Sequence, residues 1–341
     1  MHPPVELNCQ VRALPLREPF HIAGYIFTEV QSLQVELRSG AHQGRGEAAG
    51  VYYLQDRPAD MPAQLETLRE ALRAGLDREH LRELMPPGGA RNALDCALWD
   101  LEAQLAACAV WQLAGLSAPR PLLTTITLGA ADPAVMAAGA HTGLCGQALA
   151  LKLKLTGETA LDIERVRAVR QARPEVWLAV DANQGFTPAS IEALLPVLVA
   201  CDVKLLEQPF ARGREQDMRL VDFPLPTAAD ESCLHLGELD AMAGLFDMIN
   251  IKLDKCGGLT EGLAMARRAS QLGLKVMVGN MGGTSLAMAP ACVLGHLCDV
   301  VDLDGPTILA QDCNPAVRYE AGCIVSPPAL WGSGAPALQR V

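Results

Sequence analysis

Short apolar segments alternate with amphipathic segments along most of this chain, and this alternation constrains the fold more than any other feature. From about residue 120 onward, eight strand-like segments recur at roughly 25-residue spacing, with helix-like segments between them. Strands that alternate with helices form right-handed β-α-β units and a parallel sheet. Eight such units are typical of a closed barrel, and no G-x-G-x-x-G follows the first strand, which argues against a dinucleotide-binding open sheet. The eight segments are LLTTITLG, LALKLKL, VWLAVDAN, DVKLLEQP, PTAADES, FDMINIKLDK, LKVMVGN and CDVVDLDG.

The N-terminal part of the chain has a different pattern. VELNCQVRALPL and TEVQSLQVELRSG alternate as antiparallel strands do, and two helical stretches follow, PAQLETLREALRAGL and ARNALDCALWDLEAQLAACAVWQLAG. The second stretch is expected to end at Gly115, because glycine commonly stops a helix. We therefore predict an α+β domain over residues 1–118, a barrel over residues 119–315, and a C-terminal segment, residues 316–341, that returns to cover the first domain.

Composition narrows the class of protein. The net charge of −11 argues against a nucleic-acid partner, and no apolar run is long enough to cross a membrane. The N-terminus, MHPPVELNCQ, lacks the pattern of a signal peptide, so we expect a cytoplasmic protein, and the apolar fraction is compatible with a homo-oligomer. Eleven cysteines and seven histidines show neither C-x-x-C nor H-x-x-x-H spacing. Any bound metal must therefore be held by carboxylates.

Three consecutive strand-like segments end in a carboxylate: Asp181, Glu207 and Asp230. In a β/α barrel the chemistry lies at the C-terminal ends of the strands. A single acid there is commonly a helix N-cap, but three acids together would repel one another unless a cation lay between them. Oxygen ligands without histidine or cysteine favour Mg²⁺, with Mn²⁺ as a substitute. Asn183 and Glu231, which follow two of these acids, are expected just outside the ligand set.

Lysines end two other strands. Lys152 and Lys154 lie two apart in ALKLKLTG and so share one face of a strand, and Lys252 ends the sixth segment. On a surface strand the paired lysines would simply reach water. In a barrel, Lys154 and Lys252 would face each other across the metal, where one can remove a proton and the other can return one to the opposite face of a carbon. Mg²⁺ and Lys152 are expected to lower the pKa of Lys154 from its ordinary value of about 10.4, which makes it a better base.

The ordered set K-x-K, D-x-N, E-Q-P, D-E-S and N-I-K-L-D-K-x-G-G, spanning residues 152–258, resembles the muconate-lactonising subgroup of the enolase superfamily. Within it, the chain is most similar to dipeptide epimerases of the Ala-D/L-Glu type. The resemblance implies a (β/α)₇β TIM-like barrel beneath an α+β capping domain, in an α/β fold of the enolase type. It also implies Mg²⁺ on the three carboxylates, an acid/base pair of Lys154 and Lys252, and Lys152 beside an enediolate formed from a carboxylate substrate.

The same resemblance suggests how the substrate binds. Asp302 and Asp304 in VDLDG look like the D-x-D motif that holds the α-ammonium of a dipeptide, and we favour this interpretation over the alternative that DGP is a capped turn. Similar enzymes acting on Ala-Glu carry an arginine in the cap loop, here residues 18–30, which has none. Tyr25 and its aromatic neighbours instead favour an uncharged or apolar side chain, unless they are core residues of the cap. After the seventh strand, Ser285 is expected to contact the substrate.

We therefore predict an isomerase, a Mg²⁺-dependent dipeptide epimerase that inverts the α-carbon of the C-terminal residue. An N-acylamino acid racemase, acting on N-acetylglutamate or N-succinyl amino acids, is the first alternative. It would leave Asp302 and Asp304 without an ammonium partner. A lyase or cycloisomerase of the same superfamily is the second alternative, and it would need a leaving group β to the acidic carbon. A non-catalytic binding protein would not be expected to keep all three acids and both lysines.

Overall fold

The computed structural model describes residues 3–22 and 24–334. The strands are β1 (Glu6–Ile22), β2 (Tyr25–Ser39), β3 (His42–Ala48), β4 (Leu122–Leu123), β5 (Ile126–Leu128), β6 (Ala150–Lys154), β7 (Trp177–Asp181), β8 (Val203–Glu207), β9 (Thr227–Ala229), β10 (Met248–Lys252), β11 (Lys275–Gly279), β12 (Val300–Val301), β13 (Arg318–Glu320) and β14 (Cys323–Val325). The α-helices are α1 (Met61–Glu66), α2 (Arg69–Arg73), α3 (Arg78–Leu84), α4 (Gly89–Ala106), α5 (Val110–Leu113), α6 (Pro133–Gly139), α7 (Gly143–Gln147), α8 (Thr159–Ala172), α9 (Pro188–Ile191), α10 (Leu195–Ala200), α11 (Leu236–Leu239), α12 (Leu253–Cys256), α13 (Leu259–Gln271) and α14 (Ser285–Gly295).

Strands β5 to β12 form one eight-stranded sheet in which each strand pairs with its neighbour in the sequence. The pairs within this sheet are parallel, as β6 with β7 and β10 with β11. The sheet closes on itself where the Thr125 N–H donates to the Val301 carbonyl at 3.0 Å. All eight predicted strands are present, so the predicted barrel is confirmed. Between β8 and β9 the described chain forms a short 3₁₀ helix, Glu215–Leu220, in place of a longer α-helix.

The capping domain is an antiparallel sheet of β1, β2 and β3 covered by α4. Helix α4 lies directly on β3, because two glycines in that strand allow the backbones to touch. A Cβ at Gly46 would lie 2.0 Å from the Ala93 carbonyl oxygen, and one at Gly44 would lie 2.1 Å from that of Ala97. Leucines from β2 and from the cap helices fill the space between sheet and helices, among them Leu33, Leu37, Leu65, Leu81 and Leu94.

The cap helices are shorter than the sequence pattern predicts. The second predicted helix does not run on to Gly115: α4 stops at Ala106, and Ala107 adopts the left-handed conformation with φ 46°. Helix α5 then starts at Val110, whose N–H donates to the Gly332 carbonyl at 2.9 Å. The helix therefore breaks where the chain contacts the C-terminal segment. Local periodicity cannot predict this break, because the contact joins residues far apart in the sequence.

The C-terminal residues contact both parts of the molecule. Strand β14 pairs with β4 at the edge of the barrel. Farther along, the Trp331 indole donates to the Arg45 carbonyl and the Gly332 N–H donates to Asp100, each at 2.8 Å. These contacts support the proposed return of residues 316–341 to the cap, of which residues 335–341 lie outside the described chain. None of the described helices is long and apolar enough to cross a membrane.

Buried polar side chains join the cap to the barrel. Glu47 on β3 accepts from the Thr284 N–H at 2.7 Å and from the Thr284 hydroxyl at 2.6 Å. Asp254 on α12 accepts from the Gly50 N–H at 2.7 Å, immediately before the cap residues that reach the barrel mouth. Burial is the main cause that raises the pKa of Asp254 from 3.8 to about 7. A buried carboxyl of this kind holds its proton longer in the folded state than in the unfolded state.

The Asp254→Asn variant tests whether the proton retained by Asp254 makes the stability of the fold depend on pH. Between pH 3.8 and about 7 the folded protein retains a proton on Asp254 that the unfolded chain releases, so the free energy of unfolding falls as pH rises through this window. The amide cannot ionise, and its oxygen can still accept from Gly50. In urea unfolding at about pH 5 and about pH 7.5, the wild type is expected to lose more stability than the variant. An equal loss in both proteins would contradict the assignment.

Candidate active site

Three buried carboxylates lie one step above an apolar layer inside the barrel. Five buried residues, one from each of β7 to β11, pack together in the barrel interior: Ala179, Leu205, Ala228, Met248 and Met277. Because side chains two apart share a face of a strand, the residue two positions later points into the barrel at its C-terminal mouth. That residue is Asp181 at the end of β7, Glu207 at the end of β8 and Asp230 immediately after β9. The alternation of side chains along each strand, together with the position at which each strand ends, therefore brings the three carboxylates together.

Asp181, Glu207 and Asp230 meet in a tight and buried group. One oxygen from each lies within 4.8 Å of the others, and each residue is at most 1% exposed. Burial and the charge of Asp181 raise the pKa of Glu207 to about 7. Three carboxylates this close hold a cation well, and an all-oxygen set of this size suits Mg²⁺. Two buried oxygens next to them, Asn183 Oδ1 and Glu231 Oε2, have no hydrogen-bond partner among the described residues, which also fits a hydrated ion.

Neighbouring amides hold these carboxylates in place. The Asn250 amide donates to Glu207 Oε1 at 2.7 Å, and the Asn183 N–H donates to Asp181 Oδ1 at 2.9 Å. The Gln208 side chain accepts from the N–H of Asp230 at 2.9 Å, which ties β8 to the end of β9. Asn183 and Gln208 both have positive φ, 43° and 39°. Such conformations are uncommon for residues other than glycine and concentrate at functional sites.

Two of the lysines contact the carboxylate group from opposite sides. Lys154 Nζ lies 2.5 Å from Asp181 Oδ2, and Lys252 Nζ lies 2.7 Å from Asp230 Oδ2. Their strands, β6 and β10, are four places apart in the eight-stranded barrel and therefore face each other across it. Burial by itself would lower the pKa of Lys252, but Asp230 and the other nearby carboxylates outweigh it and raise that pKa.

The third lysine, Lys152, has carboxylate partners of its own. Its ammonium donates to Asp302, and it lies 3.3 Å from Glu207 Oε2. Burial would lower the pKa of Lys152, yet Asp302 and Glu207 outweigh burial and raise it. The positive charge of Lys152 is therefore matched by adjacent negative charges.

Asp302 and Asp304 differ in their surroundings although both lie on the cavity wall. Asp302 accepts from Lys152 and from the Thr125 hydroxyl. Asp304 accepts from the Thr127 N–H at 2.7 Å, and its pKa is raised by burial and by the charge of Asp302. An added cation would lower the energy of an ionised Asp304 most directly. The geometry thus fits an ammonium group at Asp304, with Asp302 already paired to a lysine.

The cluster as a whole carries more negative than positive charge. It contains six buried carboxylates, Asp181, Glu207, Asp230, Glu231, Asp302 and Asp304. It contains four buried ammonium groups, Lys152, Lys154, Lys252 and Lys255. With all of these groups ionised, two negative charges are left without a partner, which is the charge that a divalent cation balances.

A cavity of about 330 Å³ opens above this cluster. Its upper wall comes from the cap and includes Phe27, Tyr52 and Tyr53. Tyr52 and Tyr53 meet edge to face with ring centroids 5.1 Å apart, and Phe27 contacts Tyr52 at 5.2 Å. Tyr25 packs against Tyr52 at 4.7 Å and is 45% exposed, so it supports this aromatic wall from outside the cavity lining.

The structure also locates residues that the sequence analysis did not use. Arg57 lines the cavity from the second cap loop, residues 49–60 between β3 and α1. It makes no side-chain hydrogen bond or ion pair within the described chain. Asn250 could have been found, since it shares a face of β10 with Lys252. Ser285 does not line the cavity, and its N–H and hydroxyl donate to Asp312. The loop after β11 reaches the cavity instead through residues 280–282.

Comparison with known proteins agrees with this architecture. Residues 6–115 match the N-terminal domain of the mandelate racemase / muconate lactonizing enzyme family, and residues 136–335 match the enolase C-terminal domain-like family. The L-Ala-D/L-Glu epimerase of Escherichia coli K12 is 39% identical over 310 residues, which cover 91% of this chain and 96% of the relative.

Two solved structures have the same fold. One is an enolase family member from Agrobacterium tumefaciens with homology to dipeptide epimerases, bound to sodium and L-Ala-L-Glu. It is 36% identical with a TM-score of 0.92, over 96% of this chain and 100% of its own. The other is a dipeptide epimerase from Enterococcus faecalis with Mg and L-Leu-L-Tyr, 28% identical with a TM-score of 0.86, over 95% and 96% of the two chains. With both domains matched, this chain belongs to the mandelate racemase / muconate lactonizing enzyme family of the enolase superfamily.

Proposed function

We propose that this protein is a Mg²⁺-dependent dipeptide epimerase that inverts the α-carbon of the C-terminal residue. The observation that carries the proposal is the placement of Lys154 and Lys252 on opposite sides of the buried carboxylate group. A single base held on one side of a fixed substrate can return a proton only to that same face. Two bases on opposite faces are what inversion requires, and the similarity to dipeptide epimerases supports the same reaction.

The cluster of three carboxylates offers a binding site for the metal. Asp181, Glu207 and Asp230 would hold Mg²⁺, which when bound stabilises negative charge that develops on the substrate carboxylate. Lys152 lies beside Glu207 and can donate a further hydrogen bond to the same developing charge. The ion pair with Asp302 keeps Lys152 protonated, so Lys152 acts as a fixed hydrogen-bond donor and not as a base.

Proton transfer is assigned to the other two lysines. In one direction Lys154, in its neutral form, accepts the α-proton, and the ammonium of Lys252 then donates a proton to the opposite face of the planar enediolate of the substrate. In the other direction the roles exchange. Both lysine side chains contact carboxylates of the cluster, Asp181 and Asp230, and these contacts would hold the two Nζ atoms on either side of the α-carbon.

We assign recognition of the substrate's α-ammonium to Asp304 and recognition of its side chain to the cap. Asp304 can pair with the α-ammonium of a dipeptide, which an N-acylamino acid lacks. The wall of Phe27, Tyr52 and Tyr53 offers aromatic faces to the side chain of the substrate, and we propose that it favours apolar or aromatic residues.

A proton-exchange assay tests the activity and its side-chain preference together. Purified protein with Mg²⁺ in D₂O is incubated with L-Ala-L-Xaa dipeptides in which Xaa is Leu, Phe, Gln or Glu, and ¹H NMR follows the C-terminal α-proton. We expect loss of that signal with appearance of the L,D diastereomer, and the fastest reaction with Leu or Phe because of the aromatic wall.

Three results would contradict parts of this assignment. Faster exchange in matched N-acetyl amino acids than in every dipeptide would favour the racemase alternative and remove the role of Asp304. A preference for Glu that disappears in Arg57→Met would show that the cap selects an acidic side chain through Arg57. Release of a β-substituent without deuterium in both stereoisomers would favour the lyase alternative.

Substitution of each lysine separates the two half-reactions. Lys154→Met and Lys252→Met are each expected to slow epimerisation by about 10³-fold, because one face of the carbon loses its acid or base. Each variant should still exchange the α-proton of one diastereomer with solvent, and the two variants should act on opposite diastereomers. Lys204→Met, at an exposed lysine on β8, is the matched control. Exchange of the same diastereomer by both variants would contradict the two-sided arrangement.

A further inference from the structure

Lys255 is a buried lysine that the mechanism above does not use. It lies on α12, three residues after Lys252, and its side chain is 0% exposed. The described lining of the cavity does not include it, so it does not reach the substrate. An ammonium group without access to water requires compensating contacts.

Those contacts come from the segment that follows β9 and from β10. Lys255 Nζ lies 2.7 Å from Asp230 Oδ1 and 2.5 Å from the Asp230 carbonyl oxygen. It also lies 2.9 Å from the Asn250 carbonyl oxygen and 3.1 Å from that of Cys233. Four acceptors surround an ammonium with three N–H groups, so the lysine is fully satisfied and held in one position.

The two oxygens of Asp230 consequently have different partners. Lys255 contacts Oδ1 from the side away from the cavity. Lys252 contacts Oδ2 at 2.7 Å. Without a partner on Oδ1, the carboxylate plane could turn about the Cβ–Cγ bond and move Oδ2 away from Lys252. The buried ammonium opposes this turn, because it would break the charge-assisted hydrogen bond between Lys255 and Oδ1.

We propose that Lys255 is a positioning residue for the metal site, which orients Asp230 so that Oδ2 faces the cation and Lys252. The proposal rests on the metal site of the proposed function, and it assigns a role to a residue outside the ligand set. Partners that orient ligating carboxylates typically contribute 10- to 100-fold to metal affinity or activity.

Charge alone predicts the opposite effect, which makes the proposal testable. The buried cluster already has an excess of negative charge, and loss of Lys255 would increase it by one. A purely electrostatic role for Lys255 therefore predicts that its removal tightens binding of a cation. A positioning role predicts that its removal weakens binding, because Asp230 no longer presents a fixed oxygen.

The test is the affinity for Mn²⁺ alone, measured by electron paramagnetic resonance on the full chain without substrate. Lys255→Met is expected to weaken Mn²⁺ binding by about 10-fold or more. Lys255→Gln retains N–H donors without the charge, and we expect it to bind Mn²⁺ within about threefold of the wild type. Lys204→Met, at an exposed lysine, is the matched control and should bind as the wild type does.

Each other outcome would overturn the proposal. Tighter binding in both variants would show an electrostatic role, and unchanged binding in both would show that Lys255 only stabilises the fold. Loss of the folded state in both variants, seen by circular dichroism, would also assign Lys255 to the fold and not to the ligand. Because no substrate is present, these results do not depend on whether the protein epimerises dipeptides.

Discussion

The structure depends on one electrostatic constraint: six carboxylates and four ammonium groups are buried together at the mouth of the barrel. Ionised groups are seldom buried without partners, because the loss of hydration costs several kcal/mol per ion. Each lysine in the cluster therefore has a carboxylate within hydrogen-bond distance. Burial, together with the charge of neighbouring carboxylates, raises the pKa of Glu207 to about 7 and that of Glu231 to about 8. A divalent cation among the carboxylates removes the excess of negative charge.

The barrel makes such a concentration of charge possible. Its interior below the mouth is closed by small and apolar residues such as Ala179 and Met277. Two positions beyond this layer, β7 to β10 each present a polar side chain. Gly279 illustrates how closely this layer is packed, because a Cβ there would lie 2.7 Å from the Asn250 side chain and 3.1 Å from Lys252. The same regular strand geometry thus provides both a rigid base and a set of converging functional groups.

The cap completes the site from above and is attached to the barrel by polar contacts. Glu47 and Asp254 fix the two ends of the short cap segment that leads to Tyr52 and Tyr53. Because these contacts are buried and directional, they place the aromatic wall relative to the lysines more precisely than apolar packing would. The aromatic wall of the cavity therefore comes from the cap, and the charged groups come from the strand ends.

Much of this arrangement could be predicted from the sequence because it depends on local periodicity. The eight barrel strands were found by their apolar pattern, and the site followed from what ends each strand: Asp181, Glu207, Lys154 and Lys252. Features that depend on contacts between distant segments could not be predicted. The break at Ala107 reflects a contact with Gly332, and the place of Arg57 in the cavity depends on how the second cap loop docks.

The most direct test of the account is the stability of the protein with and without Mg²⁺. A cation that neutralises the buried cluster must bind the folded state more tightly than the unfolded state, and at 100 times its dissociation constant it would stabilise the fold by about 2.7 kcal/mol. We predict that Mg²⁺ raises the free energy of unfolding of the wild type relative to EDTA at matched ionic strength, and that Glu207→Gln largely abolishes the increase. No increase in the wild type, or an equal increase in Glu207→Gln, would contradict the claim that these carboxylates hold a divalent cation.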